Sequence, residues 1–242
     1  MKPVCLLLMI FLIISCQQTN SNQEAQEKIE GARAIPTSTD TPSQGSIPEK
    51  TVPLPPKFDY DTTQWYDLSD LDPTIILDLR YATTDNFVKE VMYDCGRCFL
   101  RKEVAKAVIK AHQGLKKQGY GGLKMFDCYR PRPIQWKLWN KVPNPQYVAD
   151  PRKGSQHNRG SAVDLTIVDA NGEELDMGTG FDFFGKEAHT DYTGHSADIN
   201  ANRELLKASM LAQGLRGIRT EWWHYSYRSK RYEISDMLWE CQ

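Results

Sequence analysis

The chain has 242 residues, of which 40% are hydrophobic and 25% are charged, a composition typical of a globular protein. Its 30 basic and 31 acidic residues give a formal net charge of −1, which argues against the clustered basic surface of a nucleic-acid-binding protein. We therefore expect no nucleic-acid partner, and the length suits one sizeable domain with additional segments.

The first 16 residues, MKPVCLLLMIFLIISC, are typical of a secretory signal. Lys2 is followed by an apolar run from Val4 to Ile14, which is shorter than the roughly 20 residues that a membrane-spanning helix needs. The run ends in Ile-Ile-Ser-Cys and resembles the lipobox of bacterial lipoproteins. This resemblance implies cleavage before Cys16, a lipid on that cysteine, and a membrane-anchored protein of the cell envelope facing the periplasm or the exterior. The alternative is a plain signal peptide with an incidental cysteine.

Residues 17–57 are rich in Gln, Thr, Ser, Pro, Glu and Asn and contain almost no large apolar side chain. Such a segment cannot bury enough apolar surface to offset the entropy lost on ordering. We predict a disordered tether over 17–57 and a folded domain over 58–242.

Four cysteines lie in the predicted domain: Cys95, Cys98, Cys128 and Cys241. In a secreted protein an even number favours disulfides, here two, and the three possible pairings remain open. The alternative is a zinc knuckle at Cys95 and Cys98, which would need two further soft ligands.

In chain order, β-branched runs predict strands and apolar residues at helical spacing predict helices. The predicted strands cover 74–83, 122–130, 161–169 and 218–227, and the predicted helices cover 101–119, 134–142 and 197–214. A turn is expected at Asn171-Gly172. Because the strands do not alternate regularly with helices, we predict an α+β fold in which helices pack on an antiparallel sheet.

His157, Asp164 and His224 are the candidate metal ligands. A catalytic zinc ion commonly takes three nitrogen or oxygen ligands from the protein. Small residues separate His157 from Asp164, and Gly160 among them can adopt backbone angles that would let both side chains reach one ion.

Glu221 lies three residues before His224 and is the candidate general base. In a regular strand the two would face opposite sides, so the hypothesis requires a turn or bulge near Trp222-Trp223. The alternative for this stretch is an aromatic core strand with an incidental ion pair. Of the remaining histidines, His112 is interpreted as a packing or surface residue of a helix, and His189 and His195 as loop residues.

Several blocks, in the same order, resemble the D-alanyl-D-alanine dipeptidase family of zinc metallopeptidases. These blocks are DLRYATTDNF (78–87), GYGGLKMFDCYRP (119–131), SQHNRGSAVDLTI (155–167), MGTGFDFF (177–184) and EWWHY (221–225). The pattern around His157 is shared with related cell-wall peptidases and with hedgehog-type domains. The combination of YATTDNF with EWWHY is much narrower and indicates the dipeptidases. The implied fold is therefore the zinc peptidase fold of hedgehog-type domains and D,D-peptidases.

The resemblance also implies roles for individual residues. One zinc ion per chain would be bound by His157, Asp164 and His224, with Glu221 as general base and Arg130 stabilising the transition state. Asp182 and Ser155 match positions that hold the substrate's free amino group, Tyr81 matches a pocket-lining position, and Asp127 is expected to support Arg130. Gln156 departs from the family, where a serine is expected, so the details of amino-group recognition can differ.

The implied activity is hydrolysis of D-Ala-D-Ala to two D-alanines during cell-wall peptide turnover. A D,D- or L,D-carboxypeptidase acting on peptidoglycan stem peptides is the nearest alternative, and a non-catalytic zinc module that binds wall material is a more distant one. An enzyme anchored outside the inner membrane cannot reach the cytoplasmic dipeptide pool, so a role in glycopeptide resistance is not expected.

Overall fold

A computed structural model describes residues 58–241, which fold into a five-stranded sheet, a two-stranded sheet and four α-helices. The lipoprotein signal, Cys16 and the tether, predicted over 1–57, lie outside the described residues. Across 58–241, no helix has the length and apolar character needed to cross a membrane.

The main sheet has the strand order β2-β4-β5-β7-β6. Its strands are β2 (Ile76–Leu77), β4 (Gly122–Asp127), β5 (Ala162–Val168), β6 (Leu215–Gly217) and β7 (His224–Tyr227). Every neighbouring pair is antiparallel except β2 with β4, which is parallel. The smaller sheet pairs β1 (Trp65–Asp67) with β3 (Phe99–Arg101) in antiparallel fashion. The predicted α+β class is therefore confirmed, with one parallel pair that the sequence did not indicate.

Four α-helices accompany these strands: α1 (Leu68–Leu71), α2 (Lys102–Lys117), α3 (Arg132–Lys141) and α4 (Ala197–Leu211). The apolar stripe of α2 is buried in the main core, as its helical spacing predicts. His112 lies in this stripe, is fully buried, and accepts a 3.0 Å hydrogen bond at Nδ1 from the backbone N–H of Leu123. It packs α2 against β4, which agrees with its interpretation as a packing residue.

The predicted strand 161–169 is one residue shorter at each end in the structure, and the other three predicted strands are shortened more strongly. The run 74–83 keeps strand geometry only at Ile76–Leu77 and then enters a 3₁₀ helix at Arg80–Ala82. The second predicted strand ends at Asp127, and the last one begins only at His224. In each case the backbone leaves the sheet where it carries a candidate site residue, so local β propensity is overridden by tertiary contacts.

Both predicted disulfides form, as Cys95–Cys241 and Cys98–Cys128. The zinc-knuckle alternative does not hold, because Cys95 and Cys98 are each bonded to a different, distant cysteine. Cys98 and Cys128 belong to the main hydrophobic core, whereas Cys95–Cys241 ties the C-terminal segment to the loop before β3.

Candidate active site

A row of three polar residues crosses the main sheet. Asp127 at the end of β4 is paired with Asp164 of β5, and Asp164 is paired in turn with His224 of β7. Residues directly opposite each other on neighbouring strands point to the same face of the sheet. The register therefore places two carboxylates and one imidazole side by side, and all three residues are buried.

His157 reaches this row from the loop before β5. It starts a 3₁₀ turn that ends at Gly160, whose φ of 65° lies in the left-handed region. A Cβ at Gly160 would also lie 2.3 Å from the Trp65 ring, so glycine is required there for both reasons. After Gly160 the chain passes through buried Ser161 and enters β5 at Ala162. The small residues thus let the backbone reverse tightly between His157 and Asp164.

The three candidate ligands converge on one point. His157 Nε2 lies 3.2 Å from His224 Nδ1 and 3.4 Å from Asp164 Oδ1, and His224 Nδ1 lies 2.9 Å from the same oxygen. One ligand atom from each residue fits within a 4.8 Å cluster.

The chemistry of this donor set fits a metal ion. His157 Nδ1 lies 2.7 Å from the carbonyl oxygen of Cys128, which only accepts hydrogen bonds, so Nδ1 carries the proton. In the neutral form of His157, Nε2 is then a lone-pair donor that faces a carboxylate oxygen and a second imidazole. A bound cation would accept these electron pairs. Two imidazoles and one carboxylate are typical protein ligands of a catalytic zinc ion.

The charges of these groups are strongly linked. Burial lowers the pKa of His157, but the neighbouring Asp164 carboxylate outweighs it and raises the pKa to about 8. Burial raises the pKa of Asp164, whereas His157 and His224 pull it well below its usual range. Asp164 is therefore a carboxylate at neutral pH, as a metal ligand must be.

Glu221 lies beside the cluster without belonging to it. Its Oε2 is 3.9 Å from His224 Nδ1, and the residue precedes the first residue of β7 by three positions. Because 221–223 are not strand, both side chains reach the same side. Burial raises the pKa of Glu221, which brings this carboxylate closer to the range in which a proton can be taken up and released.

Arg130 is held rigidly at the edge of the site. It donates from Nη2 to Asp127 Oδ2 at 2.5 Å and from Nη1 to Gln135 Oε1 at 3.0 Å. Its guanidinium also lies 4.7 Å from the centre of the Tyr81 ring. The same Asp127 oxygen is 3.4 Å from His157 Nδ1, so Asp127 links Arg130 to the candidate metal ligands.

Asp182 lies in the loop between β5 and α4 and lines the same cavity as the three candidate metal ligands. Its Oδ2 accepts a 3.1 Å hydrogen bond from the Tyr81 hydroxyl. Burial is the main cause that raises the pKa of Asp182, to about 8, and the negative charge of Asp164 adds to it. Ser155 reaches the same cavity, although its backbone N–H and hydroxyl are bonded to Asn158 Oδ1.

One cavity of about 300 Å³ is lined by every candidate site residue that lies within residues 58–241. These residues are Tyr81, Arg130, Ser155, His157, Asp164, Asp182, Glu221 and His224. Of the loop histidines, His189 lines an adjoining cavity, whereas His195 Nε2 is 2.8 Å from the backbone oxygen of Glu187 and lines neither cavity.

Sequence reasoning did not identify two residues that shape the site, Gln135 and Asn158. Gln135 holds Arg130, and Asn158 donates from Nδ2 to the Arg130 carbonyl oxygen at 2.7 Å. Asn158 lies inside the conspicuous block around His157, so its position was an available signal. Gln135 lies in α3 among ordinary helix residues and offered none.

The sequence is similar to those of known dipeptidases. A family profile described as D-ala-D-ala dipeptidase matches residues 61–238. The D-alanyl-D-alanine dipeptidase of Escherichia coli (strain K12) is 39% identical over 165 residues, covering 68% of this chain and 85% of that protein. The D-alanyl-D-alanine dipeptidase of Enterococcus faecium is 34% identical over 179 residues, covering 65% and 88% respectively.

Among solved structures, a variant of the vancomycin resistance D,D-pentapeptidase VanY in complex with Zn(II) aligns with a TM-score of 0.35. Its sequence is 16% identical, and the alignment covers 54% of this chain and 73% of that chain. At this level the similarity supports no conclusion about fold or function. The family profile covers most of the chain, and the two curated relatives are 39% and 34% identical to it. The chain therefore belongs to the D-alanyl-D-alanine dipeptidase family.

Proposed function

We propose that the protein is a zinc-dependent D-alanyl-D-alanine dipeptidase that hydrolyses D-Ala-D-Ala to two D-alanines during turnover of cell-wall peptides. The observation that carries the proposal is the position of Asp182, a partly buried carboxylate, in the same small cavity as the His157, Asp164 and His224 cluster. A dipeptide has a free ammonium group close to its only peptide bond, and Asp182 is placed to bind such a group.

The charge of the cavity fits this ligand. Four carboxylates line or back it, and Arg130 is the one guanidinium among its lining residues. One of the four, Asp127, is already paired with Arg130, whereas no lysine or arginine of residues 58–241 forms an ion pair with Asp164, Asp182 or Glu221. A divalent metal ion would compensate the charge of Asp164, and a substrate ammonium would favour the charged form of Asp182, whose pKa is raised to about 8 in the metal-free protein.

His157, Asp164 and His224 would hold the zinc ion. When bound, zinc acts as a Lewis acid that polarises the peptide carbonyl and lowers the pKa of water to about 7. Glu221 then takes a proton from the attacking water at its carboxylate and delivers it to the nitrogen of the leaving D-alanine. The raised pKa of Glu221 suits both steps, because the group must accept and release the proton in one cycle.

Arg130 would stabilise the oxyanion that develops on the attacked carbonyl. Asp127 and Gln135 fix the guanidinium before substrate arrives, so little reorganisation is required in the transition state. Loss of one such donor typically raises the barrier by about 2.7–4 kcal/mol. A protein that only binds wall material needs neither this donor nor a proton shuttle, which argues against a non-catalytic role.

The size and lining of the cavity favour a short substrate. Its volume of about 300 Å³ lies at the lower end of small-molecule sites. Aromatic side chains of Tyr81, Tyr147, Phe184 and Trp223 line the cavity, with Tyr81 and Trp223 buried and Tyr147 and Phe184 exposed to 43% each. These features favour a dipeptide over the longer stem peptide that a carboxypeptidase cleaves.

The activity test compares three substrates on the purified protein: D-Ala-D-Ala, its N-acetyl derivative and a stem pentapeptide ending in D-Ala-D-Ala. The proposal predicts release of D-alanine from the free dipeptide alone and loss of that activity after treatment with a chelator. Preferential cleavage of the pentapeptide would instead indicate a carboxypeptidase.

We further propose that the protein is lipid-anchored in the cell envelope through Cys16, and that the dipeptides it meets come from the wall. Two disulfides support this location, because such bonds persist in oxidising compartments outside the cytoplasm. Labelling with a fatty acid tests the anchor, since Cys16→Ala should abolish incorporation. If the anchored protein raised glycopeptide tolerance in a sensitive host, the assignment to wall turnover would be wrong.

A further inference from the structure

The disulfide Cys98–Cys128 lies directly behind a candidate zinc ligand. Cys128 is the residue whose carbonyl oxygen is 2.7 Å from His157 Nδ1. Both cysteines are buried, with exposed fractions of 0% and 1%. Cys128 therefore carries both the disulfide and the carbonyl group whose hydrogen bond sets the tautomer and orientation of His157.

The backbone around Cys128 has little other support from the main sheet. The β4–β5 pairing reaches Asp127 and goes no further, and β2 pairs with β4 only at Lys124 and Met125. Beyond Asp127, the chain is held toward β3 by the disulfide to Cys98 and by a 3.0 Å hydrogen bond from Tyr129 N to Phe99 O. The covalent bond thus replaces the missing strand pairing.

The segment secured in this way supplies several groups to the site. Asp127 lies against both His157 and Arg130, and the N–H of Arg130 donates to the carbonyl oxygen of His157 at 3.1 Å. Hydrogen-bond partners of a metal-bound histidine commonly change metal affinity by 10- to 100-fold when they are altered. A device that fixes such a partner should act in the same direction, at the lower end of this range.

We propose that the Cys98–Cys128 disulfide is a positioning element of the active site, which fixes the Cys128 carbonyl and thereby orients His157 for metal binding. The inference rests on the proposed zinc site but goes beyond it, because neither cysteine contacts the metal position or the substrate. Removal of the bond should weaken zinc binding even in protein that remains folded.

The second disulfide provides a matched control. Cys95–Cys241 closes a loop with a sequence separation of 146, against 30 for Cys98–Cys128. The chain-entropy model of cross-links predicts that removing the longer loop costs at least as much stability. Loss of stability and loss of zinc affinity can therefore be distinguished. Removing Cys95–Cys241 should lower the stability at least as much, whereas only removing Cys98–Cys128 should weaken zinc binding.

The experiment compares the full-length protein with two double variants, Cys98→Ala/Cys128→Ala and Cys95→Ala/Cys241→Ala. Zinc affinity is measured by competition with a chromophoric chelator, and unfolding of the metal-free proteins is followed in urea. We expect zinc to bind about tenfold more weakly to the first variant and within about twofold of the original protein to the second. Equal zinc affinity in both variants would overturn the inference.

If the first variant does not fold, Cys98→Val/Cys128→Ala restores part of the buried volume and enters the same comparison. D-Ala-D-Ala hydrolysis by the unaltered protein is recorded in parallel. If the unaltered protein hydrolyses D-Ala-D-Ala but the variants bind zinc as tightly as it does, only the positioning role is refuted. If the unaltered protein binds no zinc, the proposed function is refuted as well.

Discussion

Tyr81 and Asp182 are 101 residues apart in the sequence, yet the Tyr81 hydroxyl donates a 3.1 Å hydrogen bond to Asp182 Oδ2. Tyr81 is buried and its ring also lies against the guanidinium of Arg130. Asp182 has a φ of 57°, a conformation that Asp tolerates better than most residues other than Gly. The backbone turn at Asp182 and the hydrogen bond from Tyr81 therefore both restrict the position of this carboxylate.

The first prediction concerns recognition of the substrate ammonium. Asp182→Asn keeps the shape and tolerates the same backbone turn but removes the carboxyl group, which a bound ammonium would hold in its charged form. Loss of a hydrogen bond to a charged group costs about 1.5–3 kcal/mol, so kcat/KM for D-Ala-D-Ala should fall roughly 10- to 150-fold, mostly through KM. Tyr81→Phe serves as the comparison and should cost only a few-fold. Equal kinetics for Asp182→Asn and the unaltered protein would remove Asp182 from ammonium binding.

The second prediction concerns the pH dependence of the metal-free protein. The pKa of Asp182 is raised from 3.8 to about 8 in the folded state, chiefly by burial. Between these two values the folded state holds a proton that the unfolded state has released, so the free energy of unfolding falls as pH rises through this window. Above about pH 8 this group causes no further change.

Asp182→Asn removes that contribution. The variant should therefore gain stability relative to the unaltered protein as pH rises from about 4 to about 8. His157, whose pKa is also raised to about 8, contributes a fall of the same sign in both proteins and cancels in the comparison. Urea unfolding of chelator-treated proteins at several pH values measures the difference, and parallel stability curves would contradict the assigned shift.

Much of the fold and the candidate site could be predicted from local sequence. The apolar stripe of α2 and the β-branched run of β5 have periodicities that depend on neighbouring residues alone. His157, Asp164 and His224 could be proposed as ligands from the chemistry of their side chains. The roles of Arg130, Asp182, Ser155 and Tyr81 were implied only by the family resemblance.

The strand register and the disulfide pairing could not be read in this way. The pairing of Asp127, Asp164 and His224 across three strands is set by long-range contacts. Cys98 and Cys128 are joined because β3 and the end of β4 meet in space, which no local pattern encodes. The support of Arg130 by Gln135 arises in the same way, from the packing of α3.

The third prediction concerns the proton shuttle. Glu221→Gln preserves size and should leave zinc content unchanged, because Glu221 does not belong to the ligand cluster. The turnover number should fall by about 10²–10⁴, the usual contribution of general acid–base catalysis. Glu174→Gln, at an exposed carboxylate bonded to Lys124, is a suitable control and should be nearly silent. Retained turnover in Glu221→Gln would mean that another group moves the proton.

The fourth prediction concerns Arg130. Arg130→Lys keeps a positive charge but cannot reproduce the fixed guanidinium between Asp127 and Gln135. We expect kcat to fall by about 10²–10³ with a much smaller change in KM, as for a donor that acts in the transition state. Arg132→Lys alters a neighbouring arginine paired with exposed Asp236 and should leave kcat unchanged. A loss confined to KM in Arg130→Lys would place Arg130 in substrate binding instead.

The metal cluster itself can be tested by X-ray diffraction from crystals grown with zinc, with data collected at the zinc absorption edge. The account predicts one anomalous peak per chain, at about 2.0–2.2 Å from His157 Nε2, His224 Nδ1 and a carboxylate oxygen of Asp164. An active protein whose anomalous peak lay elsewhere, or that showed no peak near these three residues, would contradict it.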